Sequence, residues 1–231
     1  MGTGNGQRAT RGGRRAASNG QRALLLGAIV VVASACAGNA GTTATPVAPP
    51  ATRSTTPDTG ALIPPGLGSL RQEDISITVA ANALRVRALP LDENFIRTLA
   101  PDSYRSLQGL RESKRAAIDA VARRTGASTV DLWYVNFYNQ QQGEAPIAPR
   151  DVIITNQGRD FRPIDVIAIT SGIGELRVRQ NQTETAILVF EASINPNQPL
   201  TMRIGTQTGG NWESVLQRVE AERTKIRARG G

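Results

Sequence analysis

The stretch 23–36, ALLLGAIVVVASAC, divides the chain into two parts with different fates. It is a nearly unbroken apolar run that follows a segment charged only by Arg8, Arg11, Arg14, Arg15 and Arg22, and it ends on the sole cysteine. A positive n-region, an apolar body of about 7–15 residues and small residues at the cleavage point make up a secretory signal. Residues 24–32 form that apolar body, and Ala33-Ser34-Ala35 are the small residues. A permanent span needs about 20 apolar residues, and this run gives out at Gly38-Asn39. The expectation is a signal over residues 1–35 and a domain that folds outside the cytoplasm. With one cysteine no intramolecular disulfide can brace that domain, so an ordinary apolar core must hold it.

The residues Val32-Ala33-Ser34-Ala35-Cys36 resemble the lipobox of bacterial lipoprotein precursors, with Ala33 where that family favours leucine. The resemblance implies cleavage between Ala35 and Cys36, acylation of Cys36 as the new N-terminus, and membrane attachment through the lipid. Such families use an aspartate after the cysteine to retain the protein at the inner membrane. Ala37 stands there, which implies the outer membrane if the cell has one. An ordinary cleaved signal and an uncleaved anchor, with its arginines on the cytoplasmic side, are the alternatives.

After Cys36 the chain is mostly Thr, Pro, Ala and Gly up to about Pro65. Such a segment buries too little to offset its ordering entropy, and Pro46, Pro49, Pro50 and Pro57 keep it semi-extended. Residues 36–69 therefore read as a lipidated tether and residues 70–231 as one folded domain. Removing the five arginines of residues 1–35 from the formal charge of +8 leaves +3. That excess is too weak to argue for nucleic acid as a partner.

Within the folded part, Ile75, Ile77 and Val79 alternate with polar residues, and Leu84, Val86 and Ala88 do so around Arg85 and Arg87. Alternation predicts strands with one wet face. Asp92 is placed to cap a short helix, and Pro101-Asp102-Ser103 opens a longer one that Gly126 ends. Residues 128–138, STVDLWYVNFY, hold four of the nine aromatics and predict a central strand. Short strands follow at 152–155, 164–170, 176–179, 186–190 and 200–204, and Asn211 is placed to cap a terminal helix with the stripe Trp212, Val215, Leu216, Val219 and Ile226.

Residues 176–205 resemble the closing strands of bacterial extracytoplasmic immunoglobulin-like or telokin-like domains, in which a polar turn precedes an apolar strand ending in Phe-Glu, here Phe190-Glu191. The expected fold is mainly β with helices (α+β): an antiparallel β-sandwich with a helical insertion at 92–125 and a C-terminal packing helix. A sandwich implies no particular function.

The chain has no histidine, which removes the commonest general base and metal ligand. With Cys36 assigned to the signal, no thiolate catalyst or zinc cluster is expected, and no cofactor motif is present. Carboxylate chemistry remains open, and its candidates are Glu73 with Asp74, Asp92 with Glu93, and Asp160 with Asp165. Arg159 and Arg162 flank the densest mixed motif, Arg159-Asp160-Phe161-Arg162-Pro163, and are candidate contacts for a ligand carboxylate or phosphate. The expectation is a lipid-anchored, non-enzymatic envelope protein whose partner is another envelope protein or a cell-wall polymer. A carboxylate-dependent glycan enzyme and a signal-anchored subunit of a membrane complex are the alternatives.

Overall fold

The two alternating runs that begin the folded part pair with each other. In the computed structural model, which describes residues 62–230, β1 (Ile77–Ala81) and β2 (Leu84–Pro90) form an antiparallel hairpin with Val79 opposite Val86. Asn82 turns it at φ 53°, a left-handed conformation that asparagine tolerates. Asp92 caps α1 (Glu93–Ile96), its carboxylate accepting the Asn94 N–H at 2.8 Å. Next come α2 (Pro101–Ser113) and α3 (Arg115–Thr125), where the sequence suggests one longer helix. The break falls at Lys114. There the Ser113 hydroxyl turns back to the Leu110 carbonyl at 2.8 Å, and the Lys114 N–H is shared between the Leu110 and Arg111 carbonyls.

β3 (Val130–Asn139) is followed by β4 (Glu144–Pro146), β5 (Val152–Asn156), β6 (Arg159–Phe161) and β7 (Asp165–Ala168). The one-turn helix α4 (Gly172–Glu175) then leads to β8 (Arg177–Arg179), β9 (Thr183–Glu191), β10 (Leu200–Ile204), β11 (Gln207–Gly209) and α5 (Trp212–Gly230). The strands make three antiparallel sheets: β1-β2-β3-β9-β7, β11-β10-β5-β6 and the pair β4-β8. The protein is a mixed α+β fold, with β3 in the middle of its largest sheet.

Inward residues of both larger sheets belong to one apolar cluster, among them Val79, Val86, Phe137, Leu188, Ile154 and Met202. Along β3 the inward Trp133, Val135 and Phe137 are buried, whereas the outward Leu132, Tyr134, Asn136 and Tyr138 are half-buried. Helices α2 and α3 cover the outer face at its Leu132 end. Ile118 and Leu132 line the same cavity, Lys114 Nζ donates to the Ala168 carbonyl at 3.2 Å, and Arg124 pairs with Asp165.

The terminal helix packs through Trp212, which stacks on Phe95 at 5.6 Å between ring centroids and lies 5.8 Å from Trp133. Asn211 does not use its side chain as a cap. Its Oδ1 accepts the Thr78 N–H at 3.2 Å and its Nδ2 donates to the Ser76 carbonyl at 3.1 Å, so its amide pairs with the outer edge of β1. Beside it, a Cβ on Gly209 would collide with the Thr78 carbonyl and stand 2.8 Å from Val79 Cγ2. Only glycine lets β11 come this close.

Residues 62–69, assigned to the tether by composition, pack on the domain. Ile63 is buried and its carbonyl accepts from Arg97 Nη1 at 3.1 Å. Ser69 donates its N–H and its hydroxyl to the buried Glu222 Oε1 at 2.9 and 2.8 Å. The folded part therefore begins before residue 70. The expected signal, Ala35, Cys36 and the tether up to residue 61 lie outside the described residues. Among the described residues no helix is long and apolar enough to cross a membrane.

Candidate ligand-binding surface

The tetrapeptide Leu-Arg-Val-Arg occurs twice, at 84–87 and at 176–179. In both copies the arginines lie on a strand two positions apart and so point to the same side. Their surroundings differ. On β8, Arg177 and Arg179 both reach Glu144 of the neighbouring β4, at 3.4 and 3.7 Å, one on each carboxylate oxygen. On β2, Arg85 lies opposite Tyr138 and Arg87 opposite Asn136, which are themselves opposite Thr183 and Thr185 of β9.

Two guanidiniums sharing one carboxylate is a repeated device in this protein. Glu93 joins Arg97 and Arg111, Asp165 joins Arg124 and Arg150, and Glu220 joins Arg223 and Arg227. Arg85 and Arg87 have no carboxylate or hydrogen-bond acceptor among the described residues. Of the two acidic residues of β9, Glu191 pairs with Arg159, and Glu184 lies opposite Phe137 on the inner side, where it accepts from the Thr170 hydroxyl and, at 3.0 Å, from the Gly172 N–H. Asn136 Oδ1 accepts from the Thr185 hydroxyl at 2.9 Å, which leaves its NH₂ to donate. The Tyr138 hydroxyl reaches Asn181 Oδ1 at 3.4 Å. Together Arg85, Arg87, Asn136, Tyr138 and Thr183 line a hollow of about 260 Å³ on the part of the sheet that α2 and α3 leave uncovered.

The carboxylates fall into a different pattern. Glu93, Glu112 and Asp119 line a cavity of about 340 Å³ beside α2 and α3. Glu93 Oε1 accepts from Gln108 and Arg111, each at 2.8 Å, and Oε2 accepts from Arg97 at 2.9 Å and from Tyr104 at 3.5 Å. Its four lone-pair positions are thus occupied, and Glu112 is held by Arg115. The expected carboxylate pairs also have structural partners. Asp74 accepts the Arg71 N–H at 2.9 Å, Glu73 pairs with Arg71, and Asp92 caps α1. Asp160 and Asp165 lie on strands of different sheets. The Thr155 hydroxyl, with Arg203 and Arg162 near, holds the Asp160 carboxyl below its usual range. Among the described residues no cluster of His, Cys, Asp and Glu is arranged to hold a metal ion.

Of the candidate contacts named from sequence, Arg159 pairs with Glu191 at 3.5 Å and lies over the Phe161 ring at 4.9 Å, and Arg162 is exposed. Cys36 and Ala35 are outside the described residues. Sequence reasoning passed over Arg85 and Arg87 as the wet face of a strand, although the repeated tetrapeptide was available as a signal. Comparison with known proteins finds no family model, no curated protein and no solved structure that matches this chain.

Proposed function

We propose that this is a lipid-anchored, non-enzymatic protein of the bacterial envelope, whose domain is a binding module on a β-sandwich made by the two larger sheets. In this reading the chain is cleaved between Ala35 and Cys36, Cys36 carries the acyl groups, and the Thr/Pro-rich segment holds the domain away from the membrane. The membrane is the outer one if the cell has two. The observation that carries the binding role is the uncovered sheet face with Arg85 and Arg87, two cations without a carboxylate among the described residues. The occupied lone pairs of Glu93 support a non-enzymatic role. The partner is an envelope protein or a cell-wall polymer, and not nucleic acid.

The anchor is tested by the intact mass of the protein extracted from its native membrane. A chain that starts at Cys36 and is heavier by acyl groups is expected, and Cys36→Ser should release the folded domain from the membrane. A full-length, unmodified chain that stays tightly bound overturns the lipoprotein reading and makes residues 23–36 a retained anchor.

A further inference from the structure

We infer that Arg85 and Arg87 bind the acidic group of an anionic saccharide, with a sugar ring lying on Tyr138. The inference rests on reading the domain as a binding module and names its ligand. The protein contains its own template. Arg177 and Arg179, in the same tetrapeptide on the short strand β8, engage both oxygens of Glu144. Residues two apart on a strand are separated by about 6.7 Å, so a single carboxylate or phosphate can be held between two such guanidiniums. Arg85 and Arg87 repeat that spacing, but the residues across from them are Tyr138 and Asn136. Two neighbouring cations repel unless an anion joins them, and planar guanidinium suits carboxylate and phosphate alike.

The residues around the pair point to a saccharide. Tyr138 sits directly across from Arg85, which puts their Cβ atoms about 5 Å apart and an aromatic side chain beside the charged one. The NH₂ of Asn136, which has no acceptor among the described residues, and the hydroxyl of Thr183 can hydrogen-bond sugar hydroxyls. The hollow of about 260 Å³ is smaller than the roughly 300–1,000 Å³ of drug-sized pockets and suits one ring. An extended peptide would seek a strand edge, and the β1 edge is taken up by Asn211 and Gly209. The neighbouring Thr78 and Ala80 offer no large apolar anchor.

The test is calorimetric titration of the full chain in detergent with four probes: a galacturonate tetramer, uncharged chitotetraose, tetraglutamate and inorganic phosphate. Binding of the galacturonate tetramer is expected, with phosphate competing weakly and chitotetraose at least tenfold weaker. Arg85→Gln and Arg87→Gln should each weaken binding at least tenfold. Tyr138→Ala should do the same and Tyr138→Phe should not, because the ring is what stacks. The double change Arg177→Gln and Arg179→Gln removes the same charge elsewhere and should leave binding unchanged.

Galacturonate binding that the Arg85 and Arg87 variants leave intact overturns the site. Arginine-dependent binding of tetraglutamate at equal strength overturns the saccharide and keeps the binding module. Phosphate binding as tightly as the tetramer, with Tyr138→Ala silent, reduces the ligand to a simple anion and overturns the sugar. Failure of all four probes overturns the inference and leaves the binding module with an envelope protein as its partner.

Discussion

Glu222 holds Ser69 across 153 positions of sequence, accepting the backbone N–H at 2.9 Å and the hydroxyl at 2.8 Å on the same oxygen. The carboxylate is buried, and its other oxygen has no hydrogen bond, with Lys225 Nζ 3.5 Å away. Hydrogen bonds to charged groups contribute about 1.5–3 kcal/mol, and stranding a buried donor costs a comparable amount. Glu222→Ala is expected to lower stability by about 2–3 kcal/mol and Ser69→Ala by about 1 kcal/mol. Urea unfolding of the two variants checks the order. Equal losses would mean that the backbone N–H bond contributes nothing.

Trp212 joins three elements through one ring. It stacks on Phe95, tilts against Trp133 and donates Nε1–H to the Pro196 carbonyl at 2.9 Å. Trp212→Ala should cost about 3–5 kcal/mol, as large-to-small changes of buried aromatics do. Trp212→Phe should keep most of the packing and lose about 1 kcal/mol for the hydrogen bond. Thermal melts followed by near-ultraviolet circular dichroism separate the two. A wild-type aromatic signal in the alanine variant would contradict the stacking.

Asp165 sets an acid limb. Burial disfavours its charge, but the Val166 N–H and the guanidiniums of Arg124 and Arg150 outweigh that and hold its carboxyl below the usual aspartate range. A folded-state pKa below the unfolded value of about 3.9 adds stability above that pH, and the gain is lost as pH falls through the folded value. The stability gap between wild type and Asp165→Asn should be constant above about pH 5 and should close below about pH 4. A gap that does not change between pH 3 and pH 6 would mean that the ion pairs contribute nothing.

Leu176 is a substitution site where stability should rise. It lies at φ 55°, ψ 34°, is 54 % exposed, and follows α4 as its left-handed cap. The left-handed region costs an ordinary residue about 1–2 kcal/mol and asparagine less. Leu176→Asn is expected to stabilise the domain by about 0.5–1 kcal/mol. A melting temperature below wild type would show that the leucine makes a contact worth more than the strain.

The legible parts of the fold were those whose cause is local. Alternation around Val79 and Val86 gave a hairpin, Asp92 and Gly126 mark real helix ends, and the aromatic run became the middle strand. The three-residue strands β4, β6 and β11 were not legible, because each exists through a partner edge rather than a pattern of its own. Asn211 has the residue type of a cap, and its diversion to β1 depends on a register that only the folded chain supplies. The same holds for the candidate site. Arg85 and Arg87 are the wet side of a strand until the register places Tyr138 and Asn136 opposite them and Glu144 beside their twins. The burial of Ile63 was hidden by the Pro- and Gly-rich composition around it.

The edge of β1 has a consequence for how the molecule is made. An open strand edge is a template for pairing with other chains, and the group that closes this one, the Asn211 amide, comes 133 positions after Thr78. Until Asn211 docks, the edge therefore stays open. A chain that stops before Gly209 keeps it open for good. Copies cut short before that position are the ones left sticky and open to proteases, and copies that carry it seal the edge themselves.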